Sequence, residues 1–156
     1  MAIIQIDDGT REYEVQNNYG ETICVLHFRP GDIALLQRYE DMKNKITDAF
    51  KPLADIDINA DGTATDEAGI TALHEADRLL RAALSELLDS KDIGDIFRTR
   101  SPFSSVGGKF FCENVIDMLG SIIGSVLEEE AEASRKRTAK YIEEDSNAAG
   151  QPAADT

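Results

Sequence analysis

The sequence predicts an α+β fold, with a small N-terminal antiparallel β-meander packed on a mainly helical body of three to four helices. Two observations carry this. Apolar residues alternate with polar ones up to Phe28, and from Ile33 onward they recur every three or four positions. Size is the third: 156 residues make one domain (1–144), divided into a β-meander over about 3–28 and a helical region over about 32–144.

Ile3-Ile4-Gln5-Ile6 reads as a first strand, Asp8-Gly9 as a turn, and Arg11-Glu12-Tyr13-Glu14-Val15-Gln16 as a half-buried second strand. Asn17-Asn18-Tyr19-Gly20 makes the next turn. Thr22–Phe28 is a third strand rich in β-branched and apolar residues. A meander this small needs a helix on one face. Arg29-Pro30-Gly31-Asp32 ends it and caps an amphipathic helix whose stripe is Ile33, Leu36, Tyr39, Met42, Ile46 and Phe50, stopped by Pro52. After an acidic loop, Asp66 or Thr65 caps a second helix with the stripe Ile70, Leu73, Ala76, Leu80, Leu84 and Leu87. A short turn at Ile93 to Phe97 and a Ser/Gly loop lead to a third helix from near Cys112, with Val115, Met118/Leu119, Ile122/Ile123 and Val126/Leu127 on one side. Gly120 and Gly124 weaken it by about 1 kcal/mol each unless they admit a close helix contact. The small polar residues 145–156 are expected to be a disordered tail.

Composition bears on function. A formal charge of −14 spread along the chain repels phosphate backbones, so no nucleic-acid partner is expected. The basic run Arg135-Lys136-Arg137 with Lys140 follows Glu128-Glu129-Glu130 and Glu132, and reads as a salt-laced exposed helix. The mostly apolar stretch Val115–Leu127 is interrupted by Asp117 and falls short of the roughly 20 residues of a membrane span, so no membrane partner is expected either. The N-terminus has no basic leader and turns acidic at once, which points to a cytoplasmic protein. Cys24 and Cys112 lack a CxxC partner and read as reduced, buried thiols.

Asp57-Ile58-Asn59-Ala60-Asp61-Gly62 matches the start of an EF-hand loop, but the twelfth position, which needs a bidentate Glu, is Ala68. A calcium-binding regulatory module using the degenerate loop 57–68 is therefore one alternative, and an Asx-rich turn capping the next helix accounts for the same residues. His74-Glu75-Ala76-Asp77-Arg78 has Arg78 where a zinc helix needs its second histidine. His27 has no nucleophile or carboxylate at motif spacing. Gly107-Gly108-Lys109-Phe110 lacks the remainder of a phosphate loop and reads as a turn. There is no Gly-x-Ser-x-Gly elbow and no Cys/His pair, so the expectation is a non-enzyme with no catalytic residues, metal site or cofactor. Phe97, Phe103, Phe110 and Phe111 cluster around Gly and Ser, and are either core anchors of the loop or an aromatic binding patch.

The order of elements, with Tyr13-Glu14-Val15, Arg29-Pro30-Gly31-Asp32, Asp95-Ile96-Phe97, Ser101-Pro102-Phe103 and Gly108-Lys109-Phe110-Phe111-Cys112-Glu113-Asn114, resembles the tail assembly chaperone-like proteins of siphophages and prophages of Gram-positive hosts. The likeness spans most of residues 10–145; where that family often has Gly after the turn phenylalanine, this chain has Arg98. The resemblance implies a non-catalytic protein of the infected host's cytoplasm, absent from the mature virion. It would bind the tape-measure protein, keep it soluble and help recruit the tail-tube protein, with self-association along the client. A structural tail or head-completion component retained in the virion is the other reading of the same likeness. The client surface is expected at Phe97, Phe103, Phe110, Phe111, Ile122, Ile123 and Val126.

Overall fold

The structure, a computed structural model, describes residues 1–28 and 34–143. Two strands, β1 (Arg11–Gln16) and β2 (Thr22–Phe28), form an antiparallel hairpin, followed by α1 (Ile33–Phe50), a 3-10 turn (Lys51–Asp55), α2 (Glu67–Leu84), α3 (Ser90–Ile96), a second short hairpin of β3 (Ser105–Val106) and β4 (Lys109–Phe110), and the long helix α4 (Phe111–Ala154). This is the expected α+β arrangement. The expected Arg29-to-Asp32 cap and the expected disordered tail at 145–156 lie outside the described residues.

The first hairpin pairs Tyr13 with Leu26 and Val15 with Cys24, which puts Tyr13 and Val15 on the same face as the buried Cys24, Leu26 and Phe28. Tyr13 and Phe28 rings lie 5.2 Å apart on that face. Its turn is built by Asn17, whose Oδ1 accepts from the N–H groups of Tyr19 and Glu21, while Gly20 takes a positive φ of 79°. The meander lacks its first strand: Ile3–Ile6 forms no strand, and the sheet contains β1 and β2 alone among the described residues. The local reason is the joint after it, where Asp7 and Asp8 turn their carboxylates back onto Gly9 N–H and Thr10 N–H, each at 3.0 Å, forming Asx turns in place of a hairpin loop.

In α1 the buried face is Leu35, Tyr39, Met42, Ile46 and Ala49, so Leu35 and not the expected Leu36 enters the core. α2 starts where Asp66 accepts from Gly69 N–H at 2.9 Å, and buries Leu73, Ala76, Leu80 and Leu84; Ile70, the first member of the expected stripe, is 43% exposed. The expected turn at Ile93 to Phe97 is the end of a full helix, α3, whose Ile93 and Ile96 are buried. α3 lies against β2, where buried Asp92 accepts the His27 N–H at 3.2 Å. α4 places Cys112, Val115, Ile116, Leu119 and Ile123 in the same core.

Gly120 is the position where α1 crosses α4. The Tyr39 hydroxyl donates to the Ile116 carbonyl at 3.1 Å, and a Cβ on Gly120 would run into that hydroxyl. Gly124, one turn on, faces open space. The close contact that could justify a helical glycine is thus made at Gly120 alone of the two. At the β3–β4 turn Gly107 and Gly108 both hold positive φ, 63° and 80°, as a tight two-residue hairpin requires.

Candidate functional site

Of the expected partner-binding residues, the fold buries three. Phe97 (7% exposed), Phe103 (3%) and Ile123 (1%) belong to the core, so they support a surface and do not form one. Phe110, Phe111, Ile122 and Val126 are half-buried and accessible. The aromatic cluster is therefore divided. Phe103 and Phe110 pack edge-to-face at 5.5 Å, and both meet Phe50 from the end of α1, at 5.5 Å and 5.8 Å. Phe97 and Phe111 form a second edge-to-face pair at 6.0 Å. The Phe97–Phe111 pair joins the two ends of the connection between α3 and α4, and the Phe103–Phe110 pair anchors it to α1.

Phe111 also opens onto a groove of about 660 Å³ between the first hairpin, α3 and the start of α4. Val15 and Ile23 line it from the hairpin, Ile96 from α3, Val106 from β3, and Phe111, Val115 and Met118 from α4. Asn17, Asn18, Glu21, Arg100 and Asn114 give it a polar rim, and the Arg100 guanidinium sits 6.0 Å from the Phe111 ring centre. Along α4 the row Phe111, Val115, Met118, Ile122, Val126 follows three- and four-residue steps, so the groove's floor continues as a half-buried apolar seam toward Val126. Phe111, Ile122 and Val126 of this groove and seam are among the residues expected from the sequence, and the hairpin residues are not. The alternation that half-exposes Tyr13 and Val15 was the available signal, and only the fold brings Val15 across to Met118.

A second cavity, about 420 Å³, lies between α2 and the aromatic loop and is lined by Ile70, Leu73, His74, Phe97 and Phe103 among others. On its α2 wall Asp77 holds Arg81 through both carboxylate oxygens, at 3.1 and 3.0 Å, and the guanidinium lies 5.4 Å from the Phe97 ring centre. The arginine is thereby committed to packing the aromatic loop.

The loop 57–68 holds itself. Asn59 N–H donates to the Thr63 carbonyl at 2.7 Å, Asp61 accepts from Thr63 N–H at 3.1 Å, and Asp66 caps α2. Asp61 is held below the usual carboxylate range by the Thr63 hydroxyl and N–H it accepts from. Gly62, at φ 85°, lies against Ser101, Phe103 and Ser104 with no room for a Cβ, and Ser105 N–H donates to the Ala60 carbonyl at 2.8 Å. The Asn59, Asp61 and Asp66 side chains are thus engaged in the loop's own turn and in the cap of α2. Among the described residues no three His, Cys, Asp or Glu side chains are grouped to hold a metal ion.

His27, which lacks a carboxylate at motif spacing, acquires two in space: Glu12 across the hairpin at 3.3 Å and Asp92 of α3 at 3.8 Å. The first follows from strand register; the second comes from 65 residues away and has no local sequence signal. Burial raises the Cys24 thiol to about 11, with Asp92 and Asp95 adding to it, and the Cys112 thiol to about 12. Both are free thiols, Cys112 fully enclosed, and protonated at neutral pH they are poor nucleophiles.

No described helix is long and apolar enough to cross a membrane. Comparison with models of protein families, with curated proteins and with solved structures gave no match.

Proposed function

We propose that this chain is a non-catalytic client-binding protein, and that the client is a long, apolar, helical polypeptide of the kind represented by a phage tape-measure protein. The observation that supports this most directly is the groove at Phe111, whose apolar floor runs on along α4 through Met118, Ile122 and Val126. Such a furrow, apolar at its floor and rimmed by polar groups, suits the apolar face of an amphipathic helix. A carrier with a formal charge of −14 would lend that client solubility. On the resemblance stated above, the protein acts as a tail assembly chaperone in the host cytoplasm, assists recruitment of the tail-tube protein and is lost before the virion matures.

Co-expression with the tape-measure protein provides the test. The wild-type chain is expected to carry the client into the soluble fraction and co-purify with it, and the Met118→Glu/Ile122→Glu double variant is expected to lose at least about tenfold of that recovery, the cost of placing charge in an apolar contact. Circular dichroism checks that the variant keeps its helices. A wild-type chain that leaves the client insoluble overturns the proposal. Mass spectrometry of purified virions decides between a chaperone, which is absent, and a structural tail or head-completion component, which is present in fixed stoichiometry.

A further inference from the structure

The chain carries both halves of a strand pairing that the structure does not make. Ile3, Ile4 and Ile6 are exposed at 88%, 91% and 87%, far from the singly scattered apolar residue that a surface tolerates. On the other side, β1 belongs to a sheet in which β2 is its one strand neighbour among the described residues, so the outer edge of β1 presents backbone N–H and C=O groups with no strand beside it. The far edge of β2 is not equivalent, because α3 covers it and Asp92 takes the His27 N–H. Between donor segment and acceptor edge, the joint is fixed. Asp7 accepts from Gly9 N–H and from the Arg11 guanidinium, at 3.0 and 3.3 Å, Asp8 accepts from Thr10, and Gly9 holds φ 87°.

We propose that Ile3–Ile6 of one copy adds as a third strand to the outer edge of β1 in a second copy. The second copy is the occupant because the donor segment and the acceptor edge are both present on every chain, so each copy offers what the next one lacks. Tyr13 and Val15 of β1 face the body, so the register expected for the added strand is the one that sets Ile4 and Ile6, two residues apart, on that apolar face and Gln5 on the side of the exposed Glu12 and Glu14. Exchange between two copies closes a dimer; donation onward along a row of copies builds an open series. Association works against the mutual repulsion of chains each carrying −14, so it strengthens with salt.

Sedimentation equilibrium of the full chain, at about 0.1 M and about 0.5 M sodium chloride, measures this. The mass is expected to rise from 17.1 kDa toward twice that value or a higher multiple as concentration increases, more steeply at the higher salt. Hydrogen exchange should show the amides of Ile3–Ile6 protected in the associated form alone. Neighbouring residues of a strand point their N–H groups in opposite directions, so the Ile4→Pro/Gln5→Pro variant must remove an inward donor. It is expected to weaken association by about tenfold or more, while Ile4→Val/Gln5→Thr, which keeps strand-forming residues, associates like wild type. The substituted residues lie outside the core, so the far-UV spectrum of the monomer stays unchanged. A mass of 17.1 kDa at every concentration, association undiminished by the proline pair, or arm amides already protected in the monomer would each overturn the proposal.

Discussion

From Phe111 to Leu127, α4 supplies Cys112, Val115, Ile116, Leu119 and Ile123 to the core; from Glu128 to Glu143 every one of its residues is exposed. One helix is thus held by two different forces. The first half is fixed by burial and by the Tyr39 crossing at Gly120. The second has only backbone hydrogen bonds, helix-forming residues such as Ala131, Ala133 and Ala139, and exposed pairs such as Glu132–Lys136 at 3.7 Å, each worth about 0.2–0.5 kcal/mol. The contrast shows that helix length and helix stability are separate properties in this chain, and that the two halves should respond differently to the same kind of substitution.

The largest difference is expected from truncating the packed half. Leu119→Ala, at a residue with no exposure, should cost about 2–5 kcal/mol in chemical denaturation. That is a large share of the roughly 5–15 kcal/mol a domain of this size possesses. A loss under about 1 kcal/mol would mean that α4 is not a core helix. The glycine pair sharpens the comparison by a change of sign. Gly120→Ala gains helix propensity but forces the Tyr39 hydroxyl aside, for a net loss of about 1–3 kcal/mol, whereas Gly124→Ala faces open space and should stabilise by up to about 1 kcal/mol. Equal effects at the two positions would remove the crossing from the account.

Next comes pH. The folded thiols of Cys24 and Cys112 ionise at about 11 and about 12, above the value of an unfolded cysteine near 9, so above pH 9 the unfolded chain binds fewer protons than the folded one. Their contribution is intact below pH 9 and is lost as pH rises through 11 and 12. The buried Tyr39 hydroxyl is raised in the same direction, by burial first and then by Asp117. Stability should fall across that window by up to about 1.4 kcal/mol per pH unit for each thiol, and a Cys112→Ala variant should fall less steeply. The smallest effect belongs to the outer half of α4. Glu132→Gln, which removes the ion pair and keeps nearly the same helix propensity, should change global stability by less than about 0.5 kcal/mol, read by the same denaturation, while local amide exchange from Glu128 onward speeds up.

The helices were legible because their apolar spacing is dictated by burial on one face, and Met42, Ile46, Leu73 and Leu80 all lie where that spacing places them. The error of one residue between Leu35 and Leu36 arises because two adjacent leucines fit the same stripe equally well. Ile3–Ile6 misled for a different reason: strand propensity describes a segment's preference, and pairing requires a neighbour that local sequence does not guarantee. Within the candidate site, the seam of α4 was readable from periodicity. The wall formed by Val15, Ile23 and Val106 was not, since it depends on how a hairpin, a helix and a loop far apart in the chain come together.

Gly62 sits where two connections meet. Because the acidic stretch between the 3-10 turn and α2 lies pressed against Ser101, Phe103 and Ser104, and Ala60 is tied to Ser105, two long connections that would each dangle alone act as one clasp. A protease probing for an entry would meet this double strap closed. A bulkier residue at position 62 should open both straps together and bring new cleavage in each.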